Sequence, residues 1–316
     1  MRFDGFCGNA GLKQRLSAAF AQGKISHCYL ICGPDGSGKH TLARILAAAM
    51  ECTGAGEAPC GVCTACRKAF DGQHPDIITV DDTEHKNVSI DVIRDARADM
   101  FIRPNEGKRK IYILPRAQDM LPAAQNALLK ILEEPPEYGV FLLLSTHAEK
   151  LLPTIRSRCA ELHLSPVGQE EAAAYLQRRL PQQQPDAIRS ACVRSGGFLG
   201  QALALLESGS APQTAEFAAA YAGGDALALL RVLLPLEKYK RTELLPVLQQ
   251  WRALVCDALS AKSGMPAASP EAAMLSQSRT GAQLLAAAQD LQEAMDDLNL
   301  NVGTGAVAGW LSTRLR

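Results

Sequence analysis

The sequence predicts an α/β fold on a parallel five-stranded sheet, followed by two all-helical segments. Three observations predict it. In the first half, short apolar runs alternate with amphipathic stretches, the pattern of successive βαβ units. After Leu164 the strand signals stop and helical periodicity takes over. Aliphatic residues and alanine supply most of a 47% hydrophobic content and aromatics only 5%, which suits a helix-rich α/β chain better than a sandwich or barrel.

Five strands are predicted, at Cys28–Cys32, Ile77–Val80, Lys110–Leu114, Phe141–Ser145 and Glu161–Leu164. Between the third and fourth lies PAAQNALLKILEEPPE, where Ala124, Ala127, Leu128, Ile131 and Leu132 recur at helical spacing before a Pro-Pro stop. That helix is expected to pack on the sheet. Pro166 opens a polar start to a helix near Gln169, and a small helical module follows, ending near Gly209. Amphipathic patterns at 214–234, 242–261 and 279–298 predict a further helical domain. The expected division is 1–165, with an insert at 51–67, then 166–208 and 209–316; 316 residues are enough for two or three cores.

Thirty-three basic residues balance thirty-three acidic ones, so no global field would hold the chain on nucleic acid or an anionic membrane. The start, MRFDGFCGNAGLKQRL, lacks a signal-peptide apolar run, and no later stretch reaches the length of a membrane span. A cytoplasmic protein is expected, with no membrane partner. Of ten cysteines four cluster; Cys7, Cys28, Cys32, Cys159, Cys192 and Cys256 read as buried small hydrophobes.

GPDGSGK, Gly33 to Lys39, follows the CYLIC strand and leads into HTLARILAAAM. That is the strand-to-helix turn a phosphate-binding loop requires. Gly33, Gly36 and Gly38 let backbone amides, with that of Ser37, approach phosphate oxygens, and Lys39 supplies a point charge. The next residue should carry a Mg²⁺-ligating hydroxyl, yet it is His40, followed by Thr41. Neutral imidazole is a poor ligand for so hard an ion. A nucleotide, ATP or ADP, with weakened metal support is expected; the plainer alternative is a glycine turn kept for its shape.

A P-loop enzyme also places acids at the end of a second apolar strand to hold Mg²⁺ and polarise water. After KIYIL come Pro115 and Arg116, which can do neither, and Asp119 falls further on. The only acids near another strand end are Asp81 and Asp82. Hydrolysis of this chain's own nucleotide is therefore expected to be nearly absent.

Cys52, Cys60, Cys63 and Cys66 have the spacing C-x7-C-x2-C-x2-C in a Gly- and Pro-containing loop. Four thiolates close a tetrahedral Zn²⁺ site with no open position, so a structural zinc is expected, with an iron–sulfur cluster as the minor competitor. A nucleic-acid-reading role for this loop is disfavoured, since Arg67 and Lys68 are its few basic residues. Lys108, Arg109 and Lys110 form the one tight basic run of the first domain and read as a solvated turn before a strand.

Together FCGN, HCYLICGPDGSGK, the four-cysteine insert, HPDI at 74–77, ALLKILEEPPE and TIRSRC at 154–159 resemble the AAA+ subunits of the bacterial DNA polymerase III clamp loader. HPDI and the altered acid strand lean toward the delta-prime branch. The resemblance implies an AAA+ P-loop domain, a helical lid and an all-α collar that oligomerises the subunits. It implies that Arg158, in the SRC motif, reaches the γ-phosphate held by a neighbour, as an arginine finger in trans. Thr146 matches the sensor-one position, and Gly200 stands where a sensor-two arginine is expected. The implied partners are gamma/tau and delta subunits in a ring of five, with the sliding clamp and primed DNA reached through the complex. The alternatives are an active gamma/tau-like ATPase, rescued by Thr41 or a repositioned acid, and a P-loop small-molecule kinase.

Overall fold

The computed structural model describes residues 1–82, 87–207, 212–265, 267, 269–300 and 302–315. Strand β1 (Cys28–Cys32) is apolar at every position and buried at every position, as a central strand covered on both faces must be. It lies between β4 (Gly139–Ser145) and β5 (Ala160–His163), with β3 (Lys110–Leu114) and β2 (Ile77–Thr79) completing the order β2-β3-β4-β1-β5. All four pairings are parallel. The predicted strands therefore exist, with ends shifted by one or two residues: β2 stops at Thr79, β4 begins at Gly139, and β5 runs Ala160–His163.

Period-two alternation sends the strand side chains into two apolar cores. On one face Tyr29, Ile31, Ile113 and Leu142 pack with α1 (Ala10–Ala21) and α2 (Lys39–Glu51). On the other, Leu30, Tyr112, Leu114 and Phe141 pack with α4 (Ile90–Met100), α5 (Pro122–Glu133) and α6 (Pro153–Arg156). The short α3 (Thr64–Phe70) packs against α2. The helix expected from PAAQNALLKILEEPPE is α5, and its buried residues include the five that set the pattern. The result is the α/β P-loop fold anticipated from the sequence, with a parallel five-stranded sheet.

Beyond the sheet the chain is helical: α7 (Gln169–Arg179), α8 (Pro185–Arg194), α9 (Leu199–Glu207), α10 (Pro212–Gly223), α11 (Ala226–Leu233), α12 (Arg241–Lys262), α13 (Pro270–Ser278), α14 (Gly281–Asn299) and α15 (Thr304–Arg314). The chain parts into two compact units, residues 1–183 with 192–204 and residues 184–191 with 205–316. The boundary expected near Gly209 lies outside the described residues. In the second unit the long pattern at 214–234 is split in two. Gly224 takes φ +69°, and the Asp225 carboxylate accepts the Leu227 N–H at 2.9 Å to start α11. Trp251 is fully buried there, stacked on Phe217 with 4.2 Å between ring centroids. Among the described residues no helix is long and apolar enough to cross a membrane.

Candidate nucleotide cradle, zinc centre and outward arginine

Because all strands are parallel, the segments leaving β1, β2, β3 and β4 gather at one edge of the sheet. Gly33 to Lys39 forms the turn from β1 into α2, with Gly36 at φ +75° and Gly38 at φ +94°, conformations that L side chains rarely adopt. A Cβ on Gly33 would stand 2.6 Å from Ser37 Oγ. Ser37 Oγ is itself buried with no hydrogen-bond partner among the described residues. A buried, unpaired hydroxyl inside a glycine turn is costly unless a ligand oxygen completes it, so the loop fits a phosphate. Lys39 is buried, and its Nζ donates to the carbonyls of Gly33 at 2.7 Å and Pro34 at 2.9 Å. Burial holds its pKa below the usual lysine value.

The loop opens on a cavity of about 860 Å³, within the size range of nucleotide sites. Among the described residues, the cations Lys39, Arg44, Arg116 and Arg179 line it against Asp35 and Asp81, a balance that favours an anion. Thr41 and Thr146 also line it. The Thr146 N–H donates to Gln118 Oε1 at 3.3 Å, and its hydroxyl lies 2.8 Å from His147 Nδ1. Burial, and then the charge of Lys39, lower the His40 pKa, which keeps the imidazole neutral at pH 7.

The metal side of the cradle differs. Pro115 and Arg116 follow β3, and Arg116 Nε donates to Asp81 Oδ1 at 3.0 Å while a second guanidinium nitrogen donates to the Asp82 carbonyl. Asp119 Oδ2 stands 3.8 Å from the same guanidinium. The Asp82 carboxylate accepts the Ser89 N–H. The acid at the end of β2 thus faces a guanidinium, and Arg116 occupies the edge where a Mg²⁺-holding carboxylate belongs. Gly200, at the start of α9, donates its N–H to the Gly36 carbonyl at 2.8 Å, and Gln201 Nε2 donates to the Asp35 carbonyl at 2.7 Å. A Cβ on Gly200 would stand 2.6 Å from Gly36 Cα, so no side chain can enter the cradle from this position.

At the other end of α2, the sulfurs of Cys52, Cys60, Cys63 and Cys66 all lie within 4.8 Å of one another. Tetrahedral zinc with Zn–S of about 2.3 Å needs sulfurs about 3.8 Å apart, and the Cys60–Cys66 pair is at 4.0 Å. Backbone N–H groups prepare the thiolates: those of Cys60, Cys63 and Cys66 donate to the sulfurs of Cys52, Cys60 and Cys63 at 3.3–3.4 Å. Burial resists ionisation of Cys63, but the N–H groups of Cys66 and Thr53 prevail and hold its pKa at about 5. The buried Cys66 thiol is pushed up to about 12 by desolvation, so metal binding here releases a proton. A Cβ on Gly54 would stand 2.6 Å from Cys60 Sγ, which explains the glycine. The donor set fits a closed Cys₄ zinc site that supplies structure, not chemistry.

Arg158 belongs to the opposite edge of the sheet. It sits between α6 and the start of β5, whereas the cradle begins beyond the end of β1. The five residues of β1 put roughly 13 Å of strand between these edges at about 3.3 Å per residue. Arg158 Nη1 donates to the Thr154 carbonyl at 3.0 Å, and Nη2 pairs with Glu133 Oε1 at 3.1 Å. It does not line the cavity around Lys39.

The family described as "DNA polymerase III, delta subunit" matches residues 8–168, the sheet with its glycine loop and its cysteine cluster. The chain belongs to this family. It is 35% identical to the DNA polymerase III subunit tau of Escherichia coli over 61% of this chain and 30% of that protein. It is 37% identical to the DNA polymerase III subunit delta' of Pseudomonas aeruginosa over 54% of this chain and 53% of that protein. The chain thus spans about a third to a half of the length of these relatives. A gamma-subunit-related protein of Thermotoga maritima aligns over 96% of this chain and 99% of its own at 19% identity, with a TM-score of 0.45.

For this delta-subunit family member the structure corrects two readings and adds one. Lys110 is not in a solvated turn: its buried Nζ donates to the carbonyls of Asp99 and Ile102 and pairs with Asp99 Oδ1 at 2.9 Å. Its long aliphatic stem carries the charge through the core to those acceptors. Cys7, Cys159 and Cys256 are half-buried, leaving only Cys28, Cys32 and Cys192 of the single cysteines buried. Asp81, one of the two acids near the end of β2, is a partner of Arg116. The addition is the role of HPDI. Asp76, fully buried, accepts the N–H groups of Asn105, Glu106 and Gly107 and the Asn105 side-chain amide, at 2.6–3.0 Å. Glu51 takes the next two, from Lys108 and Arg109. The motif was visible in the sequence, but its backbone acceptor duty carries no periodic signal.

Proposed function

We propose that this chain is a non-hydrolysing clamp-loader subunit that binds gamma/tau and delta subunits in a five-membered ring and lends Arg158 to a neighbour's ATP. The family membership supports the setting. One observation carries the role: every alteration that weakens hydrolysis, at His40, Pro115, Arg116 and Gly200, lines the cavity on the carboxyl edge, while Arg158 stands on the other edge. In this reading residues 1–165 hold ATP or ADP with little help from Mg²⁺, through Gly33, Gly36, Ser37, Gly38, Lys39, His40, Thr41 and Thr146. Residues 166–208 form the lid, and residues 209–316 the collar that holds the ring. The sliding clamp and primed DNA are reached through the assembled complex.

The mechanism asks little of this chain beyond placement. A guanidinium delivered in trans stabilises charge on a transferring phosphoryl group and is worth about a thousandfold or more in rate. Arg158 follows α6, with its guanidinium held by the Thr154 carbonyl at 3.0 Å and by Glu133 at 3.1 Å, and the remaining N–H donors of its five are left for a phosphoryl oxygen. The test is reconstitution with Arg158→Ala. DNA-stimulated turnover of the neighbouring ATPase should fall about a thousandfold with ring assembly intact; unchanged turnover refutes the finger.

A further inference from the structure

Cys28 opens β1 and Cys159 immediately precedes β5, parallel neighbours in which Tyr29 stands opposite Ala160. The two cysteines are therefore opposite one another, one step before that register begins. Adjacent strands lie about 4.8 Å apart, inside the Cα separation of about 4.4–6.8 Å that a disulfide can span. The side chains already meet. The Cys28 and Cys159 sulfurs are 2.9 Å apart, closer than the roughly 3.5–4.0 Å of an ordinary heavy-atom contact.

Their surroundings give the two thiols different parts. Cys28 is fully buried, and burial, then its contact with Cys159, push its pKa well above the ordinary thiol value, so it is inert to bulk oxidant. Cys159 is half-buried and reachable. Cys32, on the same strand as Cys28, faces His163 across the same pairing and has no thiol opposite it. Four other cysteines are gathered in the zinc cluster.

We propose that Cys28 and Cys159 form a reversible disulfide in response to a peroxide, strapping the amino ends of β1 and β5 together directly after Arg158. The Cys159 sulfur attacks one peroxide oxygen, the O–O bond breaks, and water leaves a sulfenic acid on Cys159. The Cys28 sulfur then attacks the Cys159 sulfur. The S–S bond forms, the S–O bond breaks, and the departing hydroxide takes the Cys28 proton as a second water. Two thiols lose two electrons in all, and one peroxide gains two. A dithiol reductant reverses the bond.

The test treats the zinc-loaded full chain with hydrogen peroxide at concentrations below those that release zinc, alkylates it, and maps it with trypsin without reduction. The expected product joins residues 25–39 to residues 159–178, is lost with dithiothreitol, and survives Cys32→Ala. It should vanish in Cys28→Ala and in Cys159→Ala. Failure of wild-type protein to form the linked pair before zinc is released overturns the proposal. So does a linked pair that persists in Cys28→Ala, because Cys32 is then the partner.

Discussion

The loop entering helix α2 and the loop leaving it are built to hold a ligand by opposite means. Gly33 to Lys39 relies on backbone amides and a buried lysine, and the carboxylates that would complete it for Mg²⁺ must arrive from the distant ends of β2 and β3. Cys52 to Cys66 brings all four of its donors within fifteen consecutive residues. A site whose parts come from several elements can lose its metal chemistry through one change on one strand and keep its shape. In a closed Cys₄ loop, each donor is indispensable. The first site is accordingly altered at His40, beside its loop, and at Arg116, beyond β3, while the second has all four cysteines.

The largest expected effect breaks the second loop alone. Chelating the zinc, or Cys63→Ser, should unfold residues 52–66 and leave the sheet folded, read as lost hydrogen-exchange protection in that loop. Structural zinc contributes on the order of 10 kcal/mol to isolated small modules. Nucleotide affinity should change little, because Ser37 and Lys39 lie at the other end of α2.

A smaller effect should follow Asp76→Asn, since an amide keeps one acceptor oxygen and would turn its NH₂ toward two of the four N–H donors that this carboxylate collects from one turn. The cost is about 3 kcal/mol by denaturant unfolding. The pH dependence has a definite sign. Burial raises the Asp76 pKa, but the N–H groups of Asn105, Glu106 and Gly107 outweigh it, and the folded value lies below the ordinary one. Between the two values the unfolded chain binds more protons, so stability is present above about pH 4 and is lost as pH falls through the folded pKa. The Asp76→Asn variant should lack this part of the acid limb.

Smallest is the change that sharpens the first loop. Lys39→Ala should weaken ADP binding by about 10- to 100-fold, the worth of one charge-assisted contact, with zinc content unchanged. Calorimetry with EDTA and with Mg²⁺ separates cradle from metal site, and equal affinity in both is the expected outcome. A strong Mg²⁺ requirement would mean that another group replaces the missing acids.

Much of the fold was legible because its signals are local. CYLIC, KIYIL and VFLLLS are apolar runs of strand length, and the five apolar residues of α5 recur at 3.6-residue spacing. The cysteine cluster was legible for the same reason. The division of the pattern at 214–234 into two helices was not legible, because Gly224 and Asp225 break a helix without disturbing its apolar face. Lys110 was misplaced because a buried cation announces nothing until its acceptors, here two carbonyls and Asp99, are found.

By itself the sequence determined the glycine turn, its neighbours, the four-cysteine cluster and the arginine before β5, since each depends on residue type at short spacing. Only the tertiary structure decided what faces what: Arg116 on Asp81, Gly200 against Gly36, Arg158 on Glu133, and Cys28 on Cys159. Those pairings join residues up to 164 positions apart, and the order β2-β3-β4-β1-β5 that brings them together is set by how two helical layers cover one twisted sheet. Packing of that kind is a property of the whole chain, which no local spacing encodes.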